Sequence, residues 1–426
     1  MSFPPFFRFN FRHFLHSRFL KPINFIKPSY STYVPIMNTQ IKTIDPSTIH
    51  FYSQDIEDPK FSVSDPNTLS ILKEAVELLK QDNVISIPTE TVYGLASNAL
   101  SLNSIKKIYA VKNRPADNPL IVHVSSLKML RALLPKNNNN FGEIPEIYEQ
   151  IIKKFWPGPL TILLPKSLLI PSEVTCNLST VAVRFPSHPI SRALISLCEF
   201  PLAAPSANTS GKPSPTLASH VFTDLNGKIP LIIDGGQCNF GVESTVFDAI
   251  GSHGPVILRP GGITFEALYK MPGMENLRVY KKDFVDKKLE MGPTTPGMKY
   301  RHYSPDAEVI LVDIDDKHKS RDVMDREIEK IRKNGKLTIG ILATGTSYIS
   351  SKEEYENNKS LSQGIIEYTL GDSMHPEQIA KELFKGLRHL DECNVDCIIV
   401  EGIPEEEEGL AVMNRLRKAA SRIINE

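Results

Sequence analysis

Apolar residues along this chain recur first at helical spacing and then in short bursts, and the change of period sets the expected elements. Thr68, Leu69, Ile71, Leu72, Ala75, Val76, Leu78 and Leu79 return at one helical face, with lysines and acids between them. That spacing predicts a helix over 68–81. The next burst, Val84-Ile85-Ser86-Ile87-Pro88, reads as a buried strand. Similar bursts predict strands over 120–124, 160–164, 180–184, 201–204, 231–234, 244–249 and 255–259. Few helical stretches lie between them, so residues 64–280 read as one mixed, twisted α/β sheet domain and not as a repeated βαβ unit. Asparagines at 137–140 look like a loop insertion. A stretch rich in Pro, Gly and charge follows over 281–306. Beyond it strand and helix alternate: 308–313, a charged helix near 319–333, 337–343, a helix near 376–391, 397–401, and a helix from 410 onward. This predicts a smaller parallel α/β domain over 307–426, with helices on both faces of its sheet.

Composition removes several classes. The 426 residues carry 49 Lys plus Arg against 49 Asp plus Glu, which gives no global basic surface for sequence-blind nucleic-acid binding. No run approaches the roughly 20 apolar residues of a membrane span, so no membrane partner is expected. The five cysteines fit neither a disulfide framework nor a zinc pattern and read as reduced thiols. The first 45 residues differ from the rest. No acid precedes Asp45, while five basic residues from Arg8 to Lys27 are interleaved with phenylalanines. This is the composition of a mitochondrial targeting segment, and a disordered basic tail is the plainer alternative. A second start at Met37 would omit it, so both cytoplasmic and mitochondrial forms are expected.

Two segments carry the candidate chemistry. Lys112-Asn113-Arg114-Pro115 sets two cations two residues apart, which on an extended strand or its exit would point the same way. Such a pair is best tolerated with an anion between them. Pro205-Ser206-Ala207-Asn208 leads into Ser210-Gly211-Lys212-Pro213-Ser214, where small polar residues and glycine let backbone N–H groups approach an oxyanion. Together they read as a polyphosphate site.

These segments, in order with Pro88-Thr89-Glu90-Thr91-Val92-Tyr93-Gly94-Leu95, Asn118-Pro119-Leu120, Glu243-Ser244-Thr245-Val246, Arg259-Pro260-Gly261, Lys299-Tyr300-Arg301-His302-Tyr303 and Met413-Asn414-Arg415, resemble the YrdC-type threonylcarbamoyl-AMP synthases. The resemblance is to the long form, in which a YrdC-like domain (64–280) is followed by a linker (281–306) and a Rossmann-like C-terminal domain (307–426). It implies a nucleotidyltransferase that converts L-threonine, bicarbonate and ATP to threonylcarbamoyl-adenylate and pyrophosphate. The product would pass to a transferase that modifies the tRNA adenosine 3′ of the anticodon.

The resemblance also implies roles. Lys112 and Arg114 would clamp the transferring phosphate. Thr91, His123, Arg184, Ala204 and Ser244 would hold threonine. Arg114, Asn118, Thr180, Ser206, Asn208, Ser214, Arg259, Arg301 and Tyr303 would face ATP, with Mg2+ riding on the triphosphate. His123 on its own, inside an apolar run, reads as a core histidine. The linker would fold over the site as a lid, and the C-terminal domain would position it without chemistry of its own. Two other readings stay open. One is a tRNA- or double-stranded-RNA-binding protein without ATP turnover, and weak tRNA binding is kept as a partner expectation. The other is a carbamoyl-adenylate-forming maturation enzyme, which would need paired CxxC motifs that this chain lacks.

Overall fold

In the computed structural model the described residues are 37–52, 55–136, 142–286, 302–335, 338–345, 347–349 and 364–425. The basic segment over 1–36, the asparagine run and Arg301 lie outside them. Eighteen strands are described: β1 (Gln40–Thr43), β2 (Ile49–Phe51), β3 (Phe61–Val63), β4 (Ile85–Ile87), β5 (Gly94–Asn98), β6 (Ile121–His123), β7 (Leu160–Pro165), β8 (Thr180–Arg184), β9 (Leu202–Ala203), β10 (Leu231–Asp234), β11 (Thr245–Asp248), β12 (Val256–Arg259), β13 (Arg278–Val279), β14 (Glu308–Val312), β15 (Ile339–Thr344), β16 (Ile365–Gly371), β17 (Cys397–Glu401) and β18 (Arg422–Ile424). Eleven form one sheet in the order β1-β10-β4-β5-β9-β6-β8-β7-β11-β12-β13, and β2 and β3 form a separate hairpin. The large sheet is mixed: β6 and β8 are parallel, while β7 and β8 are antiparallel. The mixed-sheet expectation is met.

The pleat of this sheet positions the site. Alternate residues of a strand face opposite sides. Val122, Val183, Ile162, Phe247 and Ile257 enter the main core on one side, while Ile121, Ala182, Leu163, Val246 and Leu258 cluster on the other. His123, Arg184, Thr161 and Ser244 share the parity of the second set. The register His123↔Arg184↔Thr161 brings them side by side. Apolar residues cover most of that face, and a polar cluster is left at the strand ends.

The fold begins earlier than the sequence pattern implies. β1 pairs in parallel with β10 at the sheet edge, so residues 40–43 belong to the sheet although they lie within the 1–45 stretch set apart by composition. Its sequence, Gln-Ile-Lys-Thr, has one apolar residue, and the strand is held mainly through its backbone, which leaves no periodic signal. The β2–β3 hairpin likewise precedes residue 64. The helix Pro66–Lys80 starts two residues before the predicted one because the Asp65 side chain caps it, accepting from the N–H groups of Asn67 and Thr68.

The C-terminal sheet is parallel throughout, in the order β16-β15-β17-β14-β18. Val309 and Leu311 of β14 pack against the helices Pro376–Glu392 and Gly409–Ala419, while Ile310 and Val312 pack against the helix Lys317–Lys333. Helices therefore cover both faces, as the alternation predicts. β16 and β18 have no counterpart among the predicted strands. Both are edge strands with mostly half-exposed or exposed residues, so neither carries a buried run.

The two sheets are joined by a shared interior. Val92, Val242 and Tyr303 belong to the same apolar cluster as Leu383, Phe384 and Met413. Arg388 crosses the junction: its guanidinium lies 2.9 Å from the Asp224 carboxylate and donates to the Pro213 carbonyl, with both side chains less than a tenth exposed. Removing one partner of a buried ion pair costs about 3–5 kcal/mol because the other charge is left unpaired. Arg388→Ala is therefore expected to lower unfolding stability by about that amount. Lys60→Ala, which breaks the exposed pair with Asp58, is expected to cost about 1 kcal/mol or less. Urea unfolding of both variants checks this; equal effects would remove Arg388 from its structural role.

Candidate active site

A cavity of about 40 Å³ opens at the polar end of the sheet face, walled by Val92, Arg114, Ile121, His123, Arg184, Ala204, Pro205, Ser206, Glu243, Ser244, Arg259, His302 and Tyr303. Three guanidinium groups and one carboxylate surround this space. The residues come from strand ends and from the turns after β9 and before β11.

Arg184 ends β8 and is almost fully buried. One of its terminal nitrogens lies 2.8 Å from the Glu90 carboxylate, and the other donates to Thr91 Oγ1 at 2.8 Å. Burial opposes ionisation of Glu90, but Arg184 outweighs it and holds the carboxyl below its usual range. A guanidinium has five N–H donors, so this pairing leaves others for a ligand carboxylate. Glu90 lies in the motif 88–95 and carries no role in the sequence analysis; its carboxylate gives the buried Arg184 a counter-charge. His123 has the geometry of a core histidine and also faces the cavity. Its Nδ1 lies 3.2 Å from the Ile121 carbonyl, as in a satisfied core histidine, and its ring also lines the cavity. Burial and the Arg184 charge push its pKa down to about 3, so it is neutral at pH 7. Ser244 Oγ bonds Thr161 Oγ1 at 2.7 Å.

Lys112 and Arg114 do not sit on a strand. Lys112 is the last residue of the helix Leu102–Lys112, and Asn113 caps that helix in the left-handed conformation, with φ 51°. The bend turns both cations inward. Lys112 is 1% exposed and donates to the carbonyls of Ser206 and Asn208. Burial, with Arg114 next to it, drives its pKa well below the usual lysine value. The expectation of a cleft-facing lysine is corrected: Lys112 braces the turn 205–208 from behind. Arg114 does line the cavity, held by the carbonyls of Asn118 and Pro119 at 3.0 and 2.9 Å.

The nucleotide-side candidates divide in the same way. Ser206 and Arg259 line the cavity. Arg259 donates to the Ser244 carbonyl at 2.9 Å and to its hydroxyl at 3.2 Å. Asn208 is fully buried and spends its amide on the carbonyls of Thr209 and Lys212. Asn118 is buried behind Arg114, and Ser214 donates to Glu243 at 2.6 Å. These three support the wall and do not form it. Thr180 lies four residues before Arg184 on the same strand face, about 13 Å away at ~3.3 Å per residue.

Two polar wall residues, Glu243 and His302, carry no assigned role in the sequence analysis. Glu243 is buried and receives Arg415 Nε and Nη2 at 3.1 and 3.0 Å. Burial would raise its carboxyl, but Arg415 and Arg259 outweigh that and hold it at about 2. A residue of the C-terminal domain thus reaches the cavity wall, so that domain does more than support a lid. His302 and Tyr303 roof the cavity, with ring centres 4.3 Å apart, and Tyr303 leans on Phe384 at 5.2 Å. Burial lowers the His302 pKa to about 3 and raises the Tyr303 pKa to about 12. Their motif was legible in the sequence; their depth of burial was not.

A family model described as "Telomere recombination" matches residues 77–261, and one described as "Threonylcarbamoyl-AMP synthase, C-terminal domain" matches residues 263–421. A threonylcarbamoyl-AMP synthase of Schizosaccharomyces pombe is 44% identical over 411 residues, covering 90% of this chain and 98% of the relative. One of Pyrococcus abyssi is 46% identical over 356 residues, covering 83% and 95%. Among solved structures, P. abyssi Sua5 complexed with L-threonine superposes with a TM-score of 0.74 at 41% identity, covering 91% of this chain and all of that one. The polar cavity, the cation-bearing turns and the two-sheet architecture agree with these likenesses: the chain belongs to the threonylcarbamoyl-AMP synthase family, in the long form with a Sua5-type C-terminal domain.

Proposed function

We propose that this enzyme joins L-threonine, bicarbonate and ATP into threonylcarbamoyl-adenylate and pyrophosphate, and that a separate transferase carries the product to tRNA. The observation that carries the reading is the convergence on one small cavity of two sets, Arg184 (backed by Thr91) with Ser244, and Arg114 with Arg259. The first set suits an amino acid bearing a carboxylate and a hydroxyl. The second suits phosphoryl oxygens.

The threonine amine attacks the bicarbonate carbon, water leaves, and a carbamate forms. A carbamate oxygen then attacks the α-phosphorus, and the bond to pyrophosphate breaks. Charge develops on phosphoryl oxygens in that step, so fixed donors at Arg114 and Arg259 lower the barrier by position and electrostatics. His123, neutral at pH 7, adds a hydrogen-bonding group beside Arg184 without a further positive charge. The linker serves as a lid, a role supported by the burial of His302 and Tyr303 over the cavity; it keeps water from the mixed anhydride. Arg301 is assigned to the nucleotide on the family pattern alone. Mg2+ enters with ATP. The wall offers it little: its carboxylate, Glu243, is committed to Arg415 and Ser214, and no cluster of three metal-ligating side chains occurs among the described residues. Phosphate oxygens and water would therefore hold the ion.

A form starting at Met37 would retain the described fold, since β1 begins at Gln40. This supports a cytoplasmic form beside a mitochondrial one carrying the basic N-terminal segment. No helix among the described residues is long and apolar enough to cross a membrane.

Incubation with threonine, bicarbonate and ATP should release pyrophosphate and threonylcarbamoyl-adenylate; no such product would reject the reading. Valine in place of threonine should lower kcat/KM by about 10⁴, because valine leaves buried hydroxyl-reading groups unpaired. Serine should lose only about 10–200-fold. Comparable turnover of valine and threonine would dismiss the assigned amino-acid pocket.

Arg114→Ala should lower adenylate formation by about 10²–10³ in a folded protein. Lys112→Ala should also lower the melting temperature, because the Ser206 and Asn208 carbonyls lose their buried donor. A Lys112→Ala protein as stable as the parent in thermal melts would contradict the bracing role.

A further inference from the structure

Arg415 is the most completely buried cation among the described residues, with 0% of its side chain exposed, yet it comes from the C-terminal helix Gly409–Ala419 and not from the domain that forms most of the cavity. Its contacts are selective. Nε and Nη2 both reach Glu243 Oε2, at 3.1 and 3.0 Å, and Nη1 donates to the Pro260 carbonyl. Glu243 is followed by Ser244, whose carbonyl and hydroxyl receive Arg259. Pro260 directly follows Arg259. Arg415 therefore pins both pieces of backbone that aim Arg259 into the cavity. It does so without lining that cavity itself.

We infer that Arg415 is a positioning residue for the nucleotide side of the site: by engaging Glu243 and Pro260 it keeps Arg259 turned toward the phosphates. The inference rests on the function proposed above. Glu243 is a buried carboxylate beside Arg259 in the same wall. Without Arg415 its nearest remedy for an unpaired charge is Arg259, and a guanidinium drawn onto Glu243 is withdrawn from the ligand. Ser214, on the other oxygen at 2.6 Å, is a neutral donor and cannot supply the missing charge. On the threonine side Glu90, Thr91 and Arg184 are anchored independently and only Ser244 shares the pinned segment, so the defect should fall mainly on ATP. The C-terminal domain thereby acts on the chemistry through one side chain.

Steady-state kinetics of the full chain for ATP and for threonine test this, with thermal melting to verify folding. Arg415→Ala should lower kcat/KM for ATP by about 10², the loss that follows a displacement of about 1 Å at a reacting centre. KM for threonine should hardly move. Arg415→Lys should recover part of the loss, since an ammonium can neutralise Glu243 but cannot also fork onto Pro260. Arg415→Ala combined with Glu243→Gln should recover ATP use well above the single variant, because no buried carboxylate is left to capture Arg259. Equal rises in both KM values would mark Arg415 as merely structural. A double variant no better than Arg415→Ala would also overturn the inference, since Arg415 would then act on the nucleotide directly. If Arg415→Ala does not fold, Arg415→Lys and the double variant carry the same comparison. Failure of the unmodified enzyme to release pyrophosphate would refute the proposed reaction, whereas normal turnover with the wrong variant pattern would refute only the role of Arg415.

Discussion

Everything around the cavity follows from the burial of six cations in one region of a protein whose overall charge is zero. Lys112, Arg114, Arg184, Arg259, Arg388 and Arg415 are each less than a tenth exposed. An ammonium or guanidinium removed from water must find acceptors or lose its charge. Three of the six are met by carboxylates: Glu90 for Arg184, Asp224 for Arg388 and Glu243 for Arg415. Lys112, Arg114 and Arg259 are held through main-chain carbonyls of Ser206, Asn208, Asn118, Pro119 and Ser244. Carbonyl dipoles solvate a cation without cancelling it. The wall therefore keeps a positive potential, concentrated where the phosphate chemistry requires it.

That arrangement explains the domain architecture as well. Asp224, Pro213, Glu243 and Pro260 belong to the first domain, but their cationic partners Arg388 and Arg415 come from helices of the second. The first domain alone would leave the Asp224 and Glu243 carboxylates without their Arg388 and Arg415 partners, and Val92 and Val242 would lose the apolar cluster that covers them. The second domain thus completes the electrostatics of the first. The linker between them brings His302 and Tyr303 over the same cavity, so roof and counter-charges arrive on one covalent path.

The site was legible in the sequence to the extent that its residues were chemically unusual for their surroundings. Arg184 at the end of an apolar strand, the paired cations near 112–114 and the Ser/Asn turn at 205–208 are poor choices for packing, and that is what exposed them. The division of labour within the set was not legible. Lys112 and Arg114 look equivalent in one dimension, but the left-handed turn at Asn113 sends one behind the wall and the other into it. Glu90 and Glu243 were quoted within motifs, yet a carboxylate that neutralises an arginine 94 or 172 residues away leaves no local trace. Three of the missed strands have a similar cause. β1, β16 and β18 are edge strands held largely by backbone pairing, and pattern analysis detects buried side chains.

The location of the charge also bears on the kind of partner. A protein that grips a nucleic-acid duplex presents lysines and arginines in exposed rows, because the phosphates it must neutralise lie on a long outer surface. Here Arg114, Arg184 and Arg259 line a cavity and the formal net charge is zero. A potential enclosed by low-dielectric walls is strong over a few ångströms and weak outside. It acts on a phosphate chain presented at its mouth more than on a polymer that can only pass by, so affinity for tRNA would have to come from other parts of the surface.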